Sequence, residues 1–182
     1  VTTVFFGGGT PTCIRSELIA GIMEKLRQCF AFSHQPEITI ECNPGTLTEE
    51  KVKIYRECGF NRISIGLQTV NDGLLRMLKR IHTFAQFEES FALARAAGFK
   101  NINIDVMSAL PGQHLPDYTQ GLEKIVSFSP EHISAYSLIV EEGTPLCAHP
   151  EEFPAPASED EEREMYYATD KILKSAGYRR YE

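Results

Sequence analysis

The sequence has few long apolar runs and no basic region at its start, so we expect neither a membrane-spanning nor a secreted protein. None of its hydrophobic stretches approaches the roughly 20 residues that a membrane-spanning helix needs. The chain starts Val1-Thr2-Thr3-Val4, with neither an initiator Met nor the basic region of a signal peptide. We therefore expect a cytoplasmic protein without a membrane span, and a chain that is part of a longer one.

Basic charge is scarce as well. The chain has 18 Lys and Arg against 25 Asp and Glu, a formal net charge of -7. Proteins that bind nucleic acids or anionic membranes neutralise phosphates with an excess of cations, so neither is an expected partner. The hydrophobic fraction of 42% in 182 residues is enough for one ordinary core, which also excludes disorder and fibrous folds.

The cysteines and histidines show no spacing typical of a site. The five cysteines form an odd set without a CxxC or CxxxC pair, which argues against a disulfide framework and against a local zinc or cluster site. We interpret them as buried, reduced thiols and expect no metal site in the chain. The five histidines are interpreted as surface or loop residues: His34, His82, His114, His132 and His149.

The pattern of apolar residues switches repeatedly between a period of two and a period of 3.6, which predicts alternating strands and helices. The predicted strands lie near 3–7, 37–41, 62–68, 101–107 and 132–139. The predicted helices lie near 15–30, 48–57, 71–79, 84–97, 116–128 and 159–176. Gly59, Gly98 and Gly177 each follow a helix and are predicted to be C′ caps, at spacings that fit a repeat of about 39 residues.

The predicted strands alternate apolar and polar residues, as in Ile102, Ile104 and Val106 with Asn101, Asn103 and Asp105. An antiparallel sheet with one wet face would alternate in this way too. A helix between successive strands favours parallel order instead. We therefore predict an α/β fold in which parallel strands form an open or wide barrel, with a polar cavity inside.

Polar residues stand at the carboxyl ends of the predicted strands, where parallel barrels bind ligands. The turn Gly7-Gly8-Gly9 would let a ligand approach the backbone closely, although such a turn alone is also typical of a tight loop. Each of Glu41, Gln68 and Asp105 alone can also be interpreted as a solvated strand end or a helix cap. Together, three such side chains could hold a ribose diol and an amino group.

Arg80 follows the short predicted helix 71–79. If the helix 84–97 is the barrel helix, the shorter one is free to lie across the barrel mouth, and Arg80 could turn back toward a carboxylate. A solvated Arg beside Lys79 is the alternative.

Four motifs stand in order along the chain: Thr3-Val4-Phe5-Phe6-Gly7-Gly8-Gly9-Thr10-Pro11, Glu37-Ile38-Thr39-Ile40-Glu41-Cys42-Asn43-Pro44-Gly45, Asn61-Arg62-Ile63-Ser64-Ile65-Gly66-Leu67-Gln68 and Leu110-Pro111-Gly112-Gln113. Together they resemble the radical S-adenosylmethionine superfamily. The branch resembled contains the oxygen-independent coproporphyrinogen III oxidases and their heme-chaperone relatives. The resemblance implies one incomplete core domain over 1–182, a partial (β/α)6 barrel truncated at both ends, with strands 2 to 6.

The resemblance also implies roles for individual residues. Gly8, Gly9 and Thr10 would hold the methionine end of S-adenosylmethionine, with Arg80 on its carboxylate. Gln68 and Asp105 would take the ribose hydroxyls, Glu41 an amino or hydroxyl donor, and Ile139 the adenine. In such enzymes a [4Fe-4S] cluster reductively cleaves the cofactor to a 5′-deoxyadenosyl radical.

Two departures from the family affect the expected function. The cluster motif CxxxCxxC would lie upstream of Val1, so we expect this chain alone not to hold the cluster; a cluster-free barrel that binds a phosphate or sugar is the alternative. The oxidase has Asp-Pro where this chain has Asn43-Pro44, and residues 134–145 look more like the chaperones. The resemblance therefore implies a heme chaperone with heme as cargo and an acceptor protein as partner, or alternatively a coproporphyrinogen III oxidase acting on a porphyrinogen.

Overall fold

A computed structural model describes residues 1–181, which form five strands and seven α-helices, with one or two helices after each strand. The strands are β1 (Thr3–Phe6), β2 (Glu37–Cys42), β3 (Arg62–Gln68), β4 (Ile102–Ser108) and β5 (His132–Ser137). The helices are α1 (Ser16–Cys29), α2 (Glu49–Glu57), α3 (Asp72–Met77), α4 (Phe84–Ala96), α5 (Leu115–Ser127), α6 (Pro145–Ala148) and α7 (Glu159–Ser175).

The strands form one sheet in the order β1-β2-β3-β4-β5. β2 is parallel to both of its neighbours, with Phe5 opposite Thr39 and Glu41 opposite Ser64. A parallel sheet in sequence order, with a helix after each strand, confirms the predicted α/β class and the parallel alternative over the antiparallel one.

Helix ends form where local sequence predicts them. Thr83 and Gln86 make a reciprocal capping box at the start of α4. Gly59, Gly98 and Gly177 follow the ends of α2, α4 and α7 with φ values of +93°, +86° and +88°. Because only glycine adopts this left-handed region without strain, the predicted C′ caps are confirmed.

Residues 138–157 differ from the prediction. β5 ends at Ser137, so Ile139 lies in a loop, with 77% of its surface exposed, and not at the end of a strand. The Pro-rich stretch 150–156 contains a short 3-10 turn over Pro150–Glu152, and α6 precedes it. Prolines occupy the first position of both elements, where their missing N–H costs nothing.

The chain divides into two compact units. Unit 1 comprises Val1–Leu67, His82–Ile104 and Pro130–His132, and unit 2 comprises Gln68–Ile81, Asp105–Ser129 and the described residues 133–181. The single domain expected over 1–182 stays a prediction. Among the described residues, none of the helices is both long and apolar enough to cross a membrane.

Each unit has its own packed interior. In unit 1, α2 packs against α1 and α4, and Tyr55 and Phe60 meet edge to face with ring centroids 5.8 Å apart. In unit 2, α5 packs against α7, where the buried Tyr118 hydroxyl lies 2.6 Å from Thr169 Oγ1.

The polar strand face in unit 1 is filled by side chains that bond to one another. Asn103 Nδ2 donates to Ser64 Oγ at 2.7 Å, and Asn103 Oδ1 contacts His132 Nδ1. Arg62 reaches His132 Nδ1 and Thr39 Oγ1 at 3.4 and 3.5 Å. Thr39, Ser64 and Asn103 are buried, so the predicted polar face is confirmed, but at this level it is packed and not an open cavity.

One histidine, His132, contradicts the surface or loop interpretation, and a second, His82, is a loop residue that is buried. His132 begins β5 and joins the polar network just described. His82 is only 4% exposed, and its Nε2 donates to the Leu67 carbonyl at 3.3 Å. His82 is buried and His132 is half-buried, and each imidazole contacts polar groups, which spacing between histidines cannot predict.

Candidate functional site

The glycine turn after β1 is shaped by its contact with β2. A Cβ on Gly7 would lie 2.7 Å from Phe5 Cε1 and 2.9 Å from Glu41 Oε2, closer than side chains tolerate. Gly7 therefore lets the Glu41 carboxylate approach the turn directly. This role of Gly7 depends on a contact between β1 and β2 residues and could not be predicted from the turn alone, which pointed to Gly8 and Gly9.

Gly8 and Gly9 present bare backbone. Both are exposed, and a Cβ on either would meet no atom within 4 Å. Gly8 has a φ of +103°, which requires glycine at that position. The backbone N–H and C=O groups of this turn are therefore open to a ligand that lies along the main chain.

Thr10 connects the turn to the loop after β2. Asn43 Nδ2 donates to Thr10 Oγ1 at 2.7 Å, and Thr10 caps a 3-10 turn over Pro11–Cys13. The structure thus brings together the glycine turn, Thr10 and Glu41 within unit 1.

Cys42, between Glu41 and Asn43, is not a reactive thiol. It is 3% exposed, and burial raises its pKa to about 12. Such a thiol stays protonated near neutral pH and is a poor nucleophile and a poor metal ligand. Burial also raises the pKa of Cys58, while Cys13, Cys29 and Cys147 are exposed, contrary to the expectation of buried thiols.

Gln68 ends β3 in a conformation that β-strands do not have. Its φ is +74°, in the left-handed region, and its side chain is 4% exposed. The Tyr136 hydroxyl on β5 donates to Gln68 Oε1 at 3.1 Å. Backbone strain at a buried polar residue that is held by a second side chain is typical of functional sites.

Two more of the predicted residues lie in unit 2. Asp105 is half-buried at the centre of β4, so the prediction that it stands at the carboxyl end of its strand is wrong, because the strand continues to Ser108. Arg80 is half-buried just after α3, where Lys79 has a φ of +56° and the Arg80 N–H donates to the Leu75 carbonyl at 2.9 Å. A left-handed residue just past the helix, with this backbone bond, is a common way for a helix to end.

The loop after β4 is braced by one glutamine. Gln113 Oε1 accepts from the Leu110 N–H at 3.2 Å, and the Gln113 N–H donates to the Leu110 carbonyl at 2.9 Å. Gly112 donates its N–H to the Ala155 carbonyl, and a Cβ there would lie 3.0 Å from Pro154. The Leu110-Pro111-Gly112-Gln113 motif therefore forms a closed turn, and Gly112, which has no side chain, leaves room for residues 154–155 to pack against it.

The resemblance implies two cofactors, S-adenosylmethionine and a [4Fe-4S] cluster, and the residues of this chain fit the first of them. The open backbone at Gly8 and Gly9, with the carboxylate of Glu41 beside Gly7, suits a ligand that has both an ammonium and a carboxylate group, as S-adenosylmethionine has. A [4Fe-4S] cluster needs several thiolates together. Within residues 1–181, no three His, Cys, Asp or Glu side chains come together as a metal site requires, so we assign no residue of this chain to the cluster.

Residues 1–123 match the family model of the Radical SAM superfamily. The chain is 36% identical over 180 residues to the heme chaperone HemW of Haemophilus influenzae, covering 99% of this chain and 46% of that protein. It is 34% identical over 183 residues to a mouse protein, radical S-adenosyl methionine domain-containing protein 1, mitochondrial, covering 41% of it. The chain thus spans about half the length, or less, of these curated relatives.

Among solved structures, coproporphyrinogen III oxidase (HemN) of Escherichia coli, a radical SAM enzyme, superposes with a TM-score of 0.87 at 27% identity. The superposition covers 98% of this chain and 41% of that one. An archaeal Elp3 from Methanocaldococcus infernus has the same fold, with a TM-score of 0.78 at 20% identity.

Proposed function

The chain belongs to the Radical SAM superfamily, and from that premise we propose that it is part of a heme chaperone, which binds heme and transfers it to an acceptor protein. The superfamily implies S-adenosylmethionine and a [4Fe-4S] cluster. The observation that carries the chaperone function is identity of 32–37%, over practically the whole chain, to bacterial heme chaperones. A cytoplasmic location, expected from the sequence, is part of the same proposal.

In unit 1, we assign the methionine end of S-adenosylmethionine to the glycine turn. The backbone of Gly8 and Gly9 and the hydroxyl of Thr10 would bind its charged groups, while the Glu41 carboxylate would accept a hydrogen bond from an amino or hydroxyl group. The exposure of the turn and the contact between Gly7 and Glu41 support these roles.

In unit 2, Gln68 and Asp105 would bind the ribose hydroxyls, because the amide N–H groups of Gln68 can donate to a hydroxyl oxygen and the Asp105 carboxylate can accept from a hydroxyl. The bond from Tyr136 to Gln68 Oε1 supports a fixed orientation for that amide. Arg80 would bind the carboxylate of the cofactor. Ile139, which is exposed, would offer backbone groups and apolar surface to adenine. In proteins of this superfamily, bound S-adenosylmethionine supplies the radical chemistry. The residues of this chain would bind and orient it.

The alternative function is that of an oxygen-independent coproporphyrinogen III oxidase. The superposition on the Escherichia coli oxidase favours it, but the identity is lower than to the chaperones. The two functions make different demands on the protein. An oxidase must hold the propionate of its substrate about 3–3.5 Å from the reacting atom, whereas a chaperone only has to bind and release heme.

The test uses the full-length protein, reconstituted anaerobically with iron and sulfide. Coproporphyrinogen III, S-adenosylmethionine and a reductant are supplied in one assay, and heme is titrated in a parallel one. We expect stoichiometric heme binding and no turnover of the porphyrinogen. Formation of protoporphyrinogen IX over many turnovers would make the protein an oxidase.

A further inference from the structure

Lys51, on the first turn of α2, reaches back to the segment that follows the glycine turn. Its Nζ donates to the Thr12 carbonyl at 2.6 Å and to the Thr46 carbonyl at 3.2 Å. The side chain is half-buried. An ammonium group carries three donors and no acceptor, so it can hold two carbonyl oxygens at once.

The two carbonyls belong to segments that are also joined by their side chains. Thr46 Oγ1 donates to the Asn43 carbonyl at 2.6 Å, so the Thr12 hydroxyl, 2.6 Å away, is the donor to Thr46 Oγ1. Asn43 Nδ2 adds the bond to Thr10 Oγ1. Residues 10–12 are therefore fixed to residues 43–46 by two side-chain bonds and by the bridging ammonium of Lys51.

This arrangement differs from that of the other lysine on the same helix. Lys53, two residues along, has 76% of its side chain exposed and lies 4.0 Å from Glu57, as expected of a solvated helix face. Lys51 instead donates charge-assisted hydrogen bonds to the carbonyl oxygens of Thr12 and Thr46, and Thr12 is fully buried. Such bonds are roughly twice as strong as neutral ones.

We propose that Lys51 is a positioning residue for S-adenosylmethionine, which holds the glycine turn in its binding shape without touching the cofactor. The proposal rests on the proposed function. Glycines lose more conformational freedom on ordering than any other residue, so a free Gly7-Gly8-Gly9 turn would be costly to fix when ligand binds. A turn whose following residues are already anchored avoids part of that cost, and the ligand binds more tightly.

The test compares Lys51→Met, Lys51→Arg and Lys53→Met in the full-length protein. Lys51→Met keeps most of the apolar stem but loses the ammonium. We expect it to weaken S-adenosylmethionine binding about tenfold, measured by calorimetric titration, a change of about 1.4 kcal/mol. Hydrogen exchange in the peptide that covers residues 7–13 should be faster in the ligand-free variant. Lys51→Arg should restore binding in large part, because a guanidinium also donates to two carbonyls, and Lys53→Met should bind as the wild type.

Three results would overturn the proposal. The first is unchanged affinity in Lys51→Met beside a wild type that binds normally, which leaves the proposed function intact. The second is an equal loss in Lys53→Met, because the effect would then belong to the helix and not to the ammonium. The third is a large fall in melting temperature in both Lys51 variants without rescue by Arg, which would give Lys51 a structural role only. A wild-type protein that does not bind S-adenosylmethionine would overturn the proposed function together with this one.

Discussion

The Tyr136 hydroxyl donates to Gln68 Oε1 across 3.1 Å, joining an exposed strand residue to a buried one in the left-handed backbone region. An amide whose oxygen is occupied in this way presents its N–H groups elsewhere. The pair therefore fixes not only where the Gln68 side chain lies but also which of its ends faces a ligand.

Tyr136→Phe should weaken S-adenosylmethionine binding by the full-length protein about fivefold, because one neutral hydrogen bond contributes about 1 kcal/mol. Calorimetric titration measures the change. Tyr167→Phe on α7 is the matched control, since this ring is also exposed and lies outside the proposed site. Equal affinity in Tyr136→Phe and the control would mean that Gln68 does not need its partner.

Gly7→Ala should impair the proposed site through Glu41. The new methyl group would lie 2.9 Å from Glu41 Oε2 and 2.7 Å from the Phe5 ring, so the carboxylate or the ring has to move. We expect a loss of S-adenosylmethionine affinity of at least about tenfold, which corresponds to about 1.4 kcal/mol. Gly21→Ala is the control, because a Cβ in α1 at that position meets nothing within 4 Å. If both variants bind the cofactor as the wild type does, the contact between Gly7 and Glu41 has no functional role.

The strands and helices could be predicted well from the sequence because the patterns that indicate them lie within short stretches of the chain. The alternation of Ile102 and Ile104 with Asn103 and Asp105 fixes which side chains share a strand face. Gly59 ends α2 because its own backbone adopts the left-handed conformation that stops a helix. These features do not depend on what the rest of the chain does.

The contacts that shape the candidate site were harder to predict, because they join residues far apart in sequence. Lys51 follows two glutamates at the start of a helix and resembles an ordinary solvated lysine; only the fold brings Thr12 within reach. His132 carried a usable signal, since it alternates with Ile133 and so belongs to the polar strand face. Ile139 was misplaced because apolar residues continue past Ser137, where the strand ends.

The stability of the full-length protein should depend on pH through Glu131. Burial opposes ionisation of this carboxyl, but bonds from Arg95, at 2.9 Å, and from the Ile102 N–H, at 3.0 Å, lower its pKa below the usual range. A lowered pKa in the folded state stabilises the protein above the unfolded value, about 4.3, and the contribution is lost as pH falls through the folded value.

Glu131→Gln should therefore lower the free energy of unfolding at pH 7, and the difference from wild type should shrink as the pH falls below about 4. The Glu131 side chain is 42% exposed, so we expect a loss of about 0.5 kcal/mol or less. Urea unfolding across the pH range measures it, with Glu123→Gln on the surface of α5 as the control. A difference that stays constant with pH would exclude the ionised carboxylate as its source.

Two buried tyrosines provide a test of the packing in each unit. Tyr55 is 0% exposed and its hydroxyl has no hydrogen-bond partner among the described residues, whereas the Tyr118 hydroxyl lies 2.6 Å from Thr169 Oγ1. Burial raises the pKa of both, that of Tyr55 to about 12, so both are neutral at pH 7. A buried hydroxyl without a partner lowers stability by its desolvation free energy, while a hydrogen-bonded one contributes about 1 kcal/mol to stability.

In urea unfolding of the full-length protein we expect Tyr118→Phe to lower the free energy of unfolding by about 1 kcal/mol, and Tyr55→Phe to leave it unchanged or raise it. Equal losses in the two variants would show that the Tyr55 hydroxyl has a partner after all.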